Sequence, residues 1–519
     1  MTSKYCPDSL LDWKGKILDN RYIIIKKIDH GAYASVWITL DVINKKYYAV
    51  KINNRDEYDY KTAKKELKVY NTIKSFECDQ LMNIHSTFDI KTNNKENNEI
   101  HMCFIMELMA CSLYNIIKCK KYEKGLKVPI VLKIIYQVLQ GLNLMHLNGI
   151  IHGDVKPENI LVHGISSHQK KLFNKIQIDE IFKETVATTA SKTKKGKKNK
   201  NKQKNTVNVQ LNGTKPMDPI EILNKINQKL KSESDDDCSN SKNDSNGSDN
   251  DSDNDSDNYS NNDSNNDSNN DSDDHEYSTK HKNKYDEDAD SSSDEEDKMS
   301  VSTCDTIESD VECDLKDDDS DDSDTDDSNS DSDSDNDDID DTDENILNNI
   351  KVKISDMGGC ILPNKKKHYR IQTCYYRSPE VLLNLDYNEK TDIWALGCTM
   401  YELLTGKILF DPNLYEGNVK RHHIYLIIKK LGIIPHEMCA KSPKRDIFFS
   451  ADLSRIKGYS KIDFSRPLWV DVGEISKENM LSNPSEIFLM DLITKMLCHN
   501  PTDRISAKDA LEHPVFKLQ

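Results

Sequence analysis

The sequence lacks any apolar stretch long enough to cross a membrane, since no run of about 18 uninterrupted apolar residues occurs. Its N-terminus, Met1–Trp13, lacks the charged and then apolar pattern of a secretory signal. The 13 cysteines form no Cys-x-x-Cys pair and no Cys/His cluster at zinc spacing, so we expect reduced thiols and neither disulfides nor a zinc site. These absences predict a soluble protein of the cytoplasm, the nucleus or both, without a membrane partner.

Charge is divided unevenly along the chain. The whole sequence has 71 Lys and Arg against 89 Asp and Glu, a formal net charge of -18. Residues 231–350 contain 46 acidic and 7 basic side chains, so this segment is near -39 and the remainder near +21. Like charges at this density and the lack of apolar periodicity predict a disordered spacer over 165–349, Lys-rich at first and then rich in Asp, Ser and Asn. Two apolar patches, around 176–182 and 220–230, are candidates for short helices that dock on the folded part.

Periodic patterns on both sides of the spacer predict a β-rich part followed by an α-rich part. Before residue 109, short runs rich in β-branched and aromatic residues alternate with polar turns, and one helical pattern interrupts them. Helical periodicity dominates after residue 128 and returns beyond residue 391. The predicted strands are 22–28, 35–40, 47–52 and 101–106, and the predicted helices are 60–73 and 128–146.

Two motifs carry residues suited to phosphoryl transfer. The segment Ile151–Leu161 places Asp154 and Asn159 five residues apart, with Lys156 between them, and it ends in an apolar strand. An aspartate there can accept the hydrogen bond of an attacking hydroxyl, a lysine can balance phosphate charge, and an asparagine can ligate Mg²⁺. Beyond the spacer, Val352–Gly358 is an apolar strand that ends in Asp-Met-Gly. Its aspartate is a second candidate ligand for Mg²⁺.

A lysine and a glutamate precede these motifs. Lys51 ends the strand-like run Tyr48–Lys51, and Glu66 lies on the helix that follows. Such a pair alone is typical of solvated surface charges. Its place ahead of the Asp154 motif favours a lysine that binds phosphate and is held by a glutamate.

Together these motifs resemble those of eukaryotic-type protein kinases, and further segments resemble the SR-protein kinases in particular. The further segments are Asn20–Tyr22, Ser35–Trp37, Gln137–Leu142, Ile371–Thr373 and Tyr376–Ser378. In that family a long spacer splits the kinase core between the catalytic loop and the Asp-x-Gly strand, which is where the predicted spacer falls here. The resemblance implies an α+β bilobal protein-kinase fold, with an extension over 1–20, an N-lobe over 21–109, a C-lobe over 110–164 and 350–519, and the disordered acidic insert over 165–349.

The resemblance assigns roles to the residues of the motifs. Asp154 and Lys156 would be the catalytic residues of an ATP-dependent Ser/Thr kinase, and Lys156 beside the aspartate follows the Ser/Thr pattern. Asn159 and Asp356 would ligate Mg²⁺. Protein substrates with Ser or Thr, Arg/Ser-rich segments among them, are the implied partners, and the expected protein is a monomer that binds no nucleic acid directly.

The nucleotide site would be formed largely by the N-lobe. Lys51 would hold the α- and β-phosphates of ATP and Glu66 would pair with Lys51, while Met106 would close the back of the adenine pocket. The backbone from Glu107 to Met109 would hydrogen-bond adenine. The glycine-rich loop would comprise Ile28, Asp29, His30, Gly31, Ala32, Tyr33, Ala34, Ser35 and Val36.

This loop departs from the family pattern because it keeps only one of three glycines, Gly31. The small residues Ala34 and Ser35 would still let backbone N–H groups approach phosphate. Asp29 adds a carboxylate near an anionic ligand and is expected to weaken nucleotide affinity.

Two other departures concern regulation and substrates. Gly153 replaces the arginine that in many kinases requires a phosphorylated activation loop, so we expect activity without loop phosphorylation. Lys420–His422 stands where the family uses acidic residues to dock arginine-rich tails, and Cys374 stands where it has an arginine. Reversed charge at the docking position is expected to weaken Arg/Ser binding.

Three alternatives remain open at this point. The run Tyr376–Glu380 is equally similar to the dual-specificity Tyr-regulated kinases, which would have other substrates. The altered glycine-rich loop suggests a pseudokinase, although Lys51, Glu66, Asp154 and the proposed metal ligands are all retained. The acidic tract suggests a scaffold that binds basic proteins and carries the kinase as a passenger.

Overall fold

The structure, a computed structural model, describes most of the chain apart from the central part of the predicted spacer. All described residues belong to one compact unit. Residues 186–217 and 232–345 lie outside the described part, so the disorder expected for them stays a prediction. The described residues are 12–31, 34–53, 57–93, 98–185, 218–231, 346–363, 371–412, 418–459, 461–462, 464, 466–479 and 481–517.

A six-stranded antiparallel sheet forms the N-terminal lobe, in the order β1-β2-β3-β4-β6-β5. The four predicted strands lie within β2, β3, β4 and β6, and each observed strand is one to three residues longer at an end. The sequence analysis missed β5, in which a register shift between Ile84 and Ser86 breaks the alternation of apolar residues. The strands are β1 (Ile17–Leu18), β2 (Tyr22–His30), β3 (Ala34–Asp41), β4 (Lys46–Asn53), β5 (Ile84–Asn93) and β6 (Asn98–Met106).

One long helix packs against this sheet. Helix α1 (Glu57–Ile73) begins three residues before the predicted start. Ala63, Val69 and Tyr70 are buried on the face that contacts the sheet, and Glu66 is buried among them. A charged residue on a buried helix face requires a charged partner, so this position already points to a site.

The C-terminal lobe is α-helical and is organised around a central helix, α3 (Val128–Leu147). This helix is the one described helix that is long and apolar enough to cross a membrane, but it is mostly buried in the lobe. The prediction placed its end one residue earlier. Three helices of the predicted spacer, α4 to α6, follow α3 in the chain. The other helices of the lobe are α2 (Leu113–Lys118), α7 (Pro379–Leu382), α8 (Lys390–Thr405), α9 (Val419–Leu431), α10 (His436–Lys441), α11 (Arg445–Phe448), α12 (Leu468–Glu478), α13 (Asn483–Met496) and α14 (Ala507–Leu511).

Three helices lie inside the predicted spacer and correct its boundary at residue 165. They are α4 (Ser167–Ile176), α5 (178–185) and α6 (Pro219–Lys231). Their apolar residues, with Ile181 and Ile222 fully buried, form one cluster with Ile23 and Leu40 of the N-lobe sheet. The docking helices expected at 176–182 and 220–230 are therefore confirmed, whereas a spacer disordered from 165 onward is wrong. The average composition of the spacer hides these two amphipathic segments.

A small three-stranded sheet joins the two halves of the C-lobe across the spacer. It has the order β7-β8-β9, with strands Cys111–Ser112, Ile160–Val162 and Val352–Ile354. Strand β8 pairs antiparallel with β9, and Leu161 lies opposite Lys353. The two strands that flank the spacer are thus hydrogen-bonded to each other. The pairing brings the ends of two distant motifs together.

The spacer is expected to divide into a part that the fold requires and a part that it does not. We predict that replacing residues 232–345 with a Gly/Ser linker of about 20 residues leaves the thermal unfolding midpoint nearly unchanged, because no described contact is lost. Deleting 165–349 is expected to lower the midpoint by more than about 5 °C, because it exposes the apolar surface beneath α4 to α6. Differential scanning calorimetry of both variants measures this, and equal midpoints would contradict the docking of these helices.

Candidate active site

A buried cation joins three elements that are distant in the sequence. Lys51 Nζ on β4 lies 2.8 Å from Glu66 Oε1 on α1 and 3.0 Å from Asp356 Oδ1, which follows β9. The predicted pair of Lys51 and Glu66 is therefore present. Burial alone would lower the pKa of Lys51, but Asp356 and Glu66 outweigh it and raise this pKa well above its usual value. Lys51 thus stays charged in the cleft.

The two carboxylates beside Lys51 differ in environment. The Asp356 side chain is 47% exposed, and Lys51 lowers its pKa to about 2. Glu66 is 2% exposed, and burial raises its pKa although Lys51 opposes this. Asp356 also has a left-handed backbone, φ 60°, which aspartate tolerates better than most residues. Asp356 is therefore an ionised group that is open to a ligand, and Glu66 is a holding group.

The catalytic-loop motif forms a compact network around Asp154. Lys156 Nζ lies 2.8 Å from Asp154 Oδ2, and it donates to Thr373 Oγ1 at 2.8 Å. Asp154 Oδ1 accepts from both the backbone N–H of Thr373, at 3.0 Å, and its hydroxyl, at 2.7 Å. Asn159 Nδ2 donates to the Asp154 backbone oxygen at 2.8 Å. Thr373 is a partner that no motif predicts, although it lies in the segment Ile371–Thr373 that resembles the SR-protein kinases.

A buried aspartate fixes the backbone of this loop. The carboxylate of Asp392, at the start of α8, accepts from the N–H groups of His152 and Gly153, each at 2.8 Å. The backbone oxygen of Gly153 in turn accepts from the N–H of Gln372 at 2.8 Å. The Gln372 side chain is buried and accepts from Ser378. Neutral hydrogen bonds thus hold the segment at 371–378 against the loop.

The structure places the glycine-rich loop in the turn between β2 and β3. Ala32 and Tyr33 lie outside the described residues. The N–H of Gly31 donates to the Ala34 oxygen at 2.8 Å, which closes the turn. Asp29 is exposed, and its carboxylate accepts from the next backbone N–H at 2.7 Å. Ile28 and His30 are also exposed, whereas Ala34 and Ser35 are buried and Val36 is half-buried.

The linker between the lobes, Glu107–Met109, is hydrogen-bonded by a residue of the predicted spacer. Gln169 Nε2 on α4 donates to the Met109 oxygen at 2.9 Å, and Gln169 is buried. Its carbonyl accepts from the Ser166 N–H at 3.0 Å, so Gln169 also completes the capping box of α4. Glu107 pairs with Lys353 at 2.7 Å. Sequence reasoning missed Gln169, although the Ser-x-x-Gln signature of a helix start was a usable signal.

The donor set of the cleft fits Mg²⁺. Asp356 offers a carboxylate, and Asn159 offers an amide oxygen once its amide nitrogen is bound to the Asp154 backbone. Among the described residues no group of three or more His, Cys, Asp or Glu could enclose a metal. Mg²⁺ usually keeps several waters and takes one or two protein oxygens, which Asp356 and Asn159 could supply, together with substrate phosphates.

Comparison with known proteins gives a match on both sides of the spacer. A family model described as the protein kinase domain matches residues 22–177 and 340–516. The putative serine/threonine-protein kinase L205 of Acanthamoeba polyphaga mimivirus is 31% identical over 96% of this chain and 88% of that protein. SRSF protein kinase 3 of Sus scrofa is 24% identical over 98% and 89%. Dual specificity protein kinase CLK4 of Homo sapiens is 31% identical, but over 34% of this chain and 35% of that protein.

The bond from Gln169 to the linker is expected to stabilise the fold. We predict that Gln169→Ala lowers the free energy of unfolding by about 1 to 3 kcal/mol, because a buried carbonyl loses its donor. Urea denaturation measures this change. Lys170→Ala, at an exposed position of the same helix, is the matched control and is expected to have little effect. Equal effects of the two substitutions would contradict the role of Gln169.

Proposed function

Since the chain belongs to the protein kinase family and is a protein serine/threonine kinase, we propose that it transfers the γ-phosphoryl group of ATP to Ser or Thr hydroxyls with the residues of this cleft. Asp154 and Lys156 are the proposed catalytic residues. Asn159 and Asp356 are the proposed Mg²⁺ ligands. The observation that carries the proposal is the contact of Lys51 with both Glu66 and Asp356, because it joins the three elements that must converge on one nucleotide.

In the proposed mechanism Asp154 accepts the hydrogen bond of the substrate hydroxyl and orients its oxygen for attack. Burial would lower the pKa of Lys156, but Asp154 outweighs this and raises it, so Lys156 remains a cation beside the transferred group. Lys51 holds the phosphates, and Glu66 holds Lys51. When bound, Mg²⁺ would neutralise charge on the phosphate oxygens. Adenine would bind the backbone of Glu107 and Met109, with Met106 behind it.

The glycine-rich loop is proposed to cover the phosphates from Ile28 to Val36 despite its single glycine. The Gly31 N–H donates to the Ala34 oxygen at the base of the loop, and one oxygen of the Asp29 carboxylate accepts from the His30 N–H. That bond reduces the repulsion that the carboxylate would exert on a nucleotide. The retention of Lys51, Asp154 and Asp356 favours an active kinase over a pseudokinase or an acidic scaffold.

Activity without phosphorylation of the activation segment is also proposed. The Gln372 N–H donates to the Gly153 oxygen, and the Gln372 side chain accepts buried bonds from Ser378, so the segment is joined to the catalytic loop. No charge on Gly153 needs to be neutralised, so a phosphate has no electrostatic role there. Residues 364–370 lie outside the described part of the chain.

Arg/Ser-rich proteins are the proposed substrate class. SRSF protein kinase 3 is similar over nearly the whole chain, including both sides of the spacer, whereas the dual-specificity relative is similar over about a third. Lys420 and Arg421 argue against strong docking of such substrates. Both cations are half-buried on α9, and neither forms an ion pair with the described residues. Dual specificity remains the alternative. Action as a monomer in the cytoplasm or nucleus, without nucleic acid or membrane binding, stays a prediction.

The role of Asp154 can be tested directly. Asp154→Asn is expected to keep the fold, because the two side chains are isosteric, and to lower kcat by about 10²-fold or more through loss of the proton acceptor. Phosphate transfer from radiolabelled ATP to a basic protein measures the effect. Asp89→Asn, which alters a carboxylate that accepts from Tyr60, is the control and is expected to be active. An Asp154→Asn variant with full activity would remove Asp154 from the mechanism.

Charge on α9 is expected to limit the affinity for Arg/Ser peptides. We predict that Lys420→Asp with Arg421→Glu lowers the peptide KM by about 3-fold or more, and that the effect shrinks as salt increases. Lys441→Asp with Arg445→Glu makes the same charge change at other exposed positions and serves as the control. Steady-state kinetics with an Arg/Ser peptide decide. A wild-type enzyme that ignores this peptide at all salt concentrations and phosphorylates Ser-Pro or Thr-Pro peptides would favour the dual-specificity alternative.

A further inference from the structure

Tyr70 lies one helical turn beyond Glu66 on the buried face of α1. The two residues are four positions apart, a spacing at which helical side chains are neighbours. Tyr70 is 1% exposed and Glu66 is 2% exposed. In the sequence pattern Tyr70 is only an apolar position of the helix, but its phenol carries a polar atom into the interior. A buried hydroxyl requires a partner, so its surroundings show what it does.

The sheet presents the active-site lysine and the back of the adenine pocket to this phenol. Lys51 lies directly opposite Phe104, and Ala49 lies opposite Met106, so Lys51, Phe104 and Met106 share one face of the sheet. The Tyr70 ring is 6.0 Å from the Phe104 ring. Its hydroxyl oxygen is 3.9 Å from Met106 Sδ. The Tyr70 side chain therefore lies between α1, which also carries Glu66, and β6, the strand that pairs with the strand of Lys51.

The hydroxyl donates to the Met106 sulfur at 3.9 Å, and the Glu66 carboxylate, one helical turn away on the same buried face, is the other acceptor beside it. A carboxylate is the stronger acceptor, and a sulfur at 3.9 Å is a weak one. Burial raises the pKa of Glu66, and Lys51 and, to a smaller extent, a hydrogen bond from Tyr70 oppose this rise. Burial also raises the pKa of the phenol well above its ordinary value, so the hydroxyl stays a donor.

We propose that Tyr70 is a positioning residue whose hydroxyl fixes the Glu66 carboxylate and, through it, the ammonium group of Lys51. Lys51 has two carboxylate partners, and a Glu66 that is not held would let Lys51 move toward Asp356. Such a shift would withdraw the cation from the nucleotide phosphates and would occupy a proposed metal ligand. The inference rests on the proposed function, because it assigns Lys51 to the phosphates of ATP.

A double-mutant cycle with nucleotide binding as the readout tests this role. Tyr70→Phe removes only the hydroxyl, and it is expected to weaken the binding of ATP by about 3- to 10-fold, the range for the net loss of one ordinary hydrogen bond. In a Lys51→Met background the same change is expected to alter binding by less than about 2-fold, because the hydroxyl acts through Lys51. Displacement of a fluorescent nucleotide gives both affinities without requiring catalysis. In steady-state kinetics the peptide KM is expected to stay unchanged.

The matched control is Tyr22→Phe. Tyr22 is an equally buried tyrosine of the same lobe, and its hydroxyl lies 3.1 Å from Ser86 Oγ, away from the cleft. It is expected to leave nucleotide affinity unchanged in both backgrounds. An equal loss from Tyr70→Phe with and without Lys51 would mean that Tyr70 only shapes the pocket, and no loss in either would remove its role; both results overturn the inference. A wild type that binds ATP but transfers no phosphate would overturn the proposed function alone, since the cycle still decides on Tyr70.

Discussion

The rest of the site depends on the ion pairs that the Lys51 ammonium group forms with two carboxylates. It contacts Glu66, 15 residues away, and Asp356, 305 residues away in the chain. Three groups from a strand, a helix and a loop beyond the spacer can meet only if both lobes and the small sheet are in place. A buried ion pair of this kind contributes little to stability because its desolvation is costly. We therefore regard it as a device that fixes geometry.

The spacer is inserted at a point of the fold where it disturbs the geometry of the Lys51 site least. Strands β8 and β9 pair antiparallel across it, so the chain leaves and returns at adjacent positions, and Asp154, before β8, lies at the same end of the pair as Asp356, after β9. The free-energy cost of closing a flexible loop rises only slowly with the length of the loop. The first part of the spacer also contributes contacts to the folded protein. Helices α4 to α6 cover apolar residues of the N-lobe sheet, and Gln169 binds the backbone oxygen of Met109.

Much of this fold could be predicted from the sequence, and the exceptions have physical reasons. The α+β bilobal kinase fold and the split core are confirmed, because Lys51, Asp154 and Asp356 stand in recognisable strings whose chemistry restricts substitution. The two apolar patches predict the docking helices at 176–182 and 220–230, but the charged residues around them hide the start of α4 at Ser167, so the boundary of the disordered insert at 165 is wrong. Thr373 and Gln169 act through contacts across 219 and 60 residues, which no local pattern encodes. The roles of the individual site residues stay proposals.

The polar groups around the cleft form two kinds of support. Charged groups set positions at the centre, where Lys51 and Lys156 each contact carboxylates. Neutral groups hold the periphery, where Gln169 donates to the backbone oxygen of Met109 and Gln372 accepts from the backbone N–H of Ser378. Neutral bonds keep their strength when salt or a bound anion changes the local field, whereas ion pairs at the centre respond to it. The cleft therefore has a rigid frame and an electrostatically responsive centre. Substrate phosphates would interact with that centre, and their binding would not need to reorganise the frame.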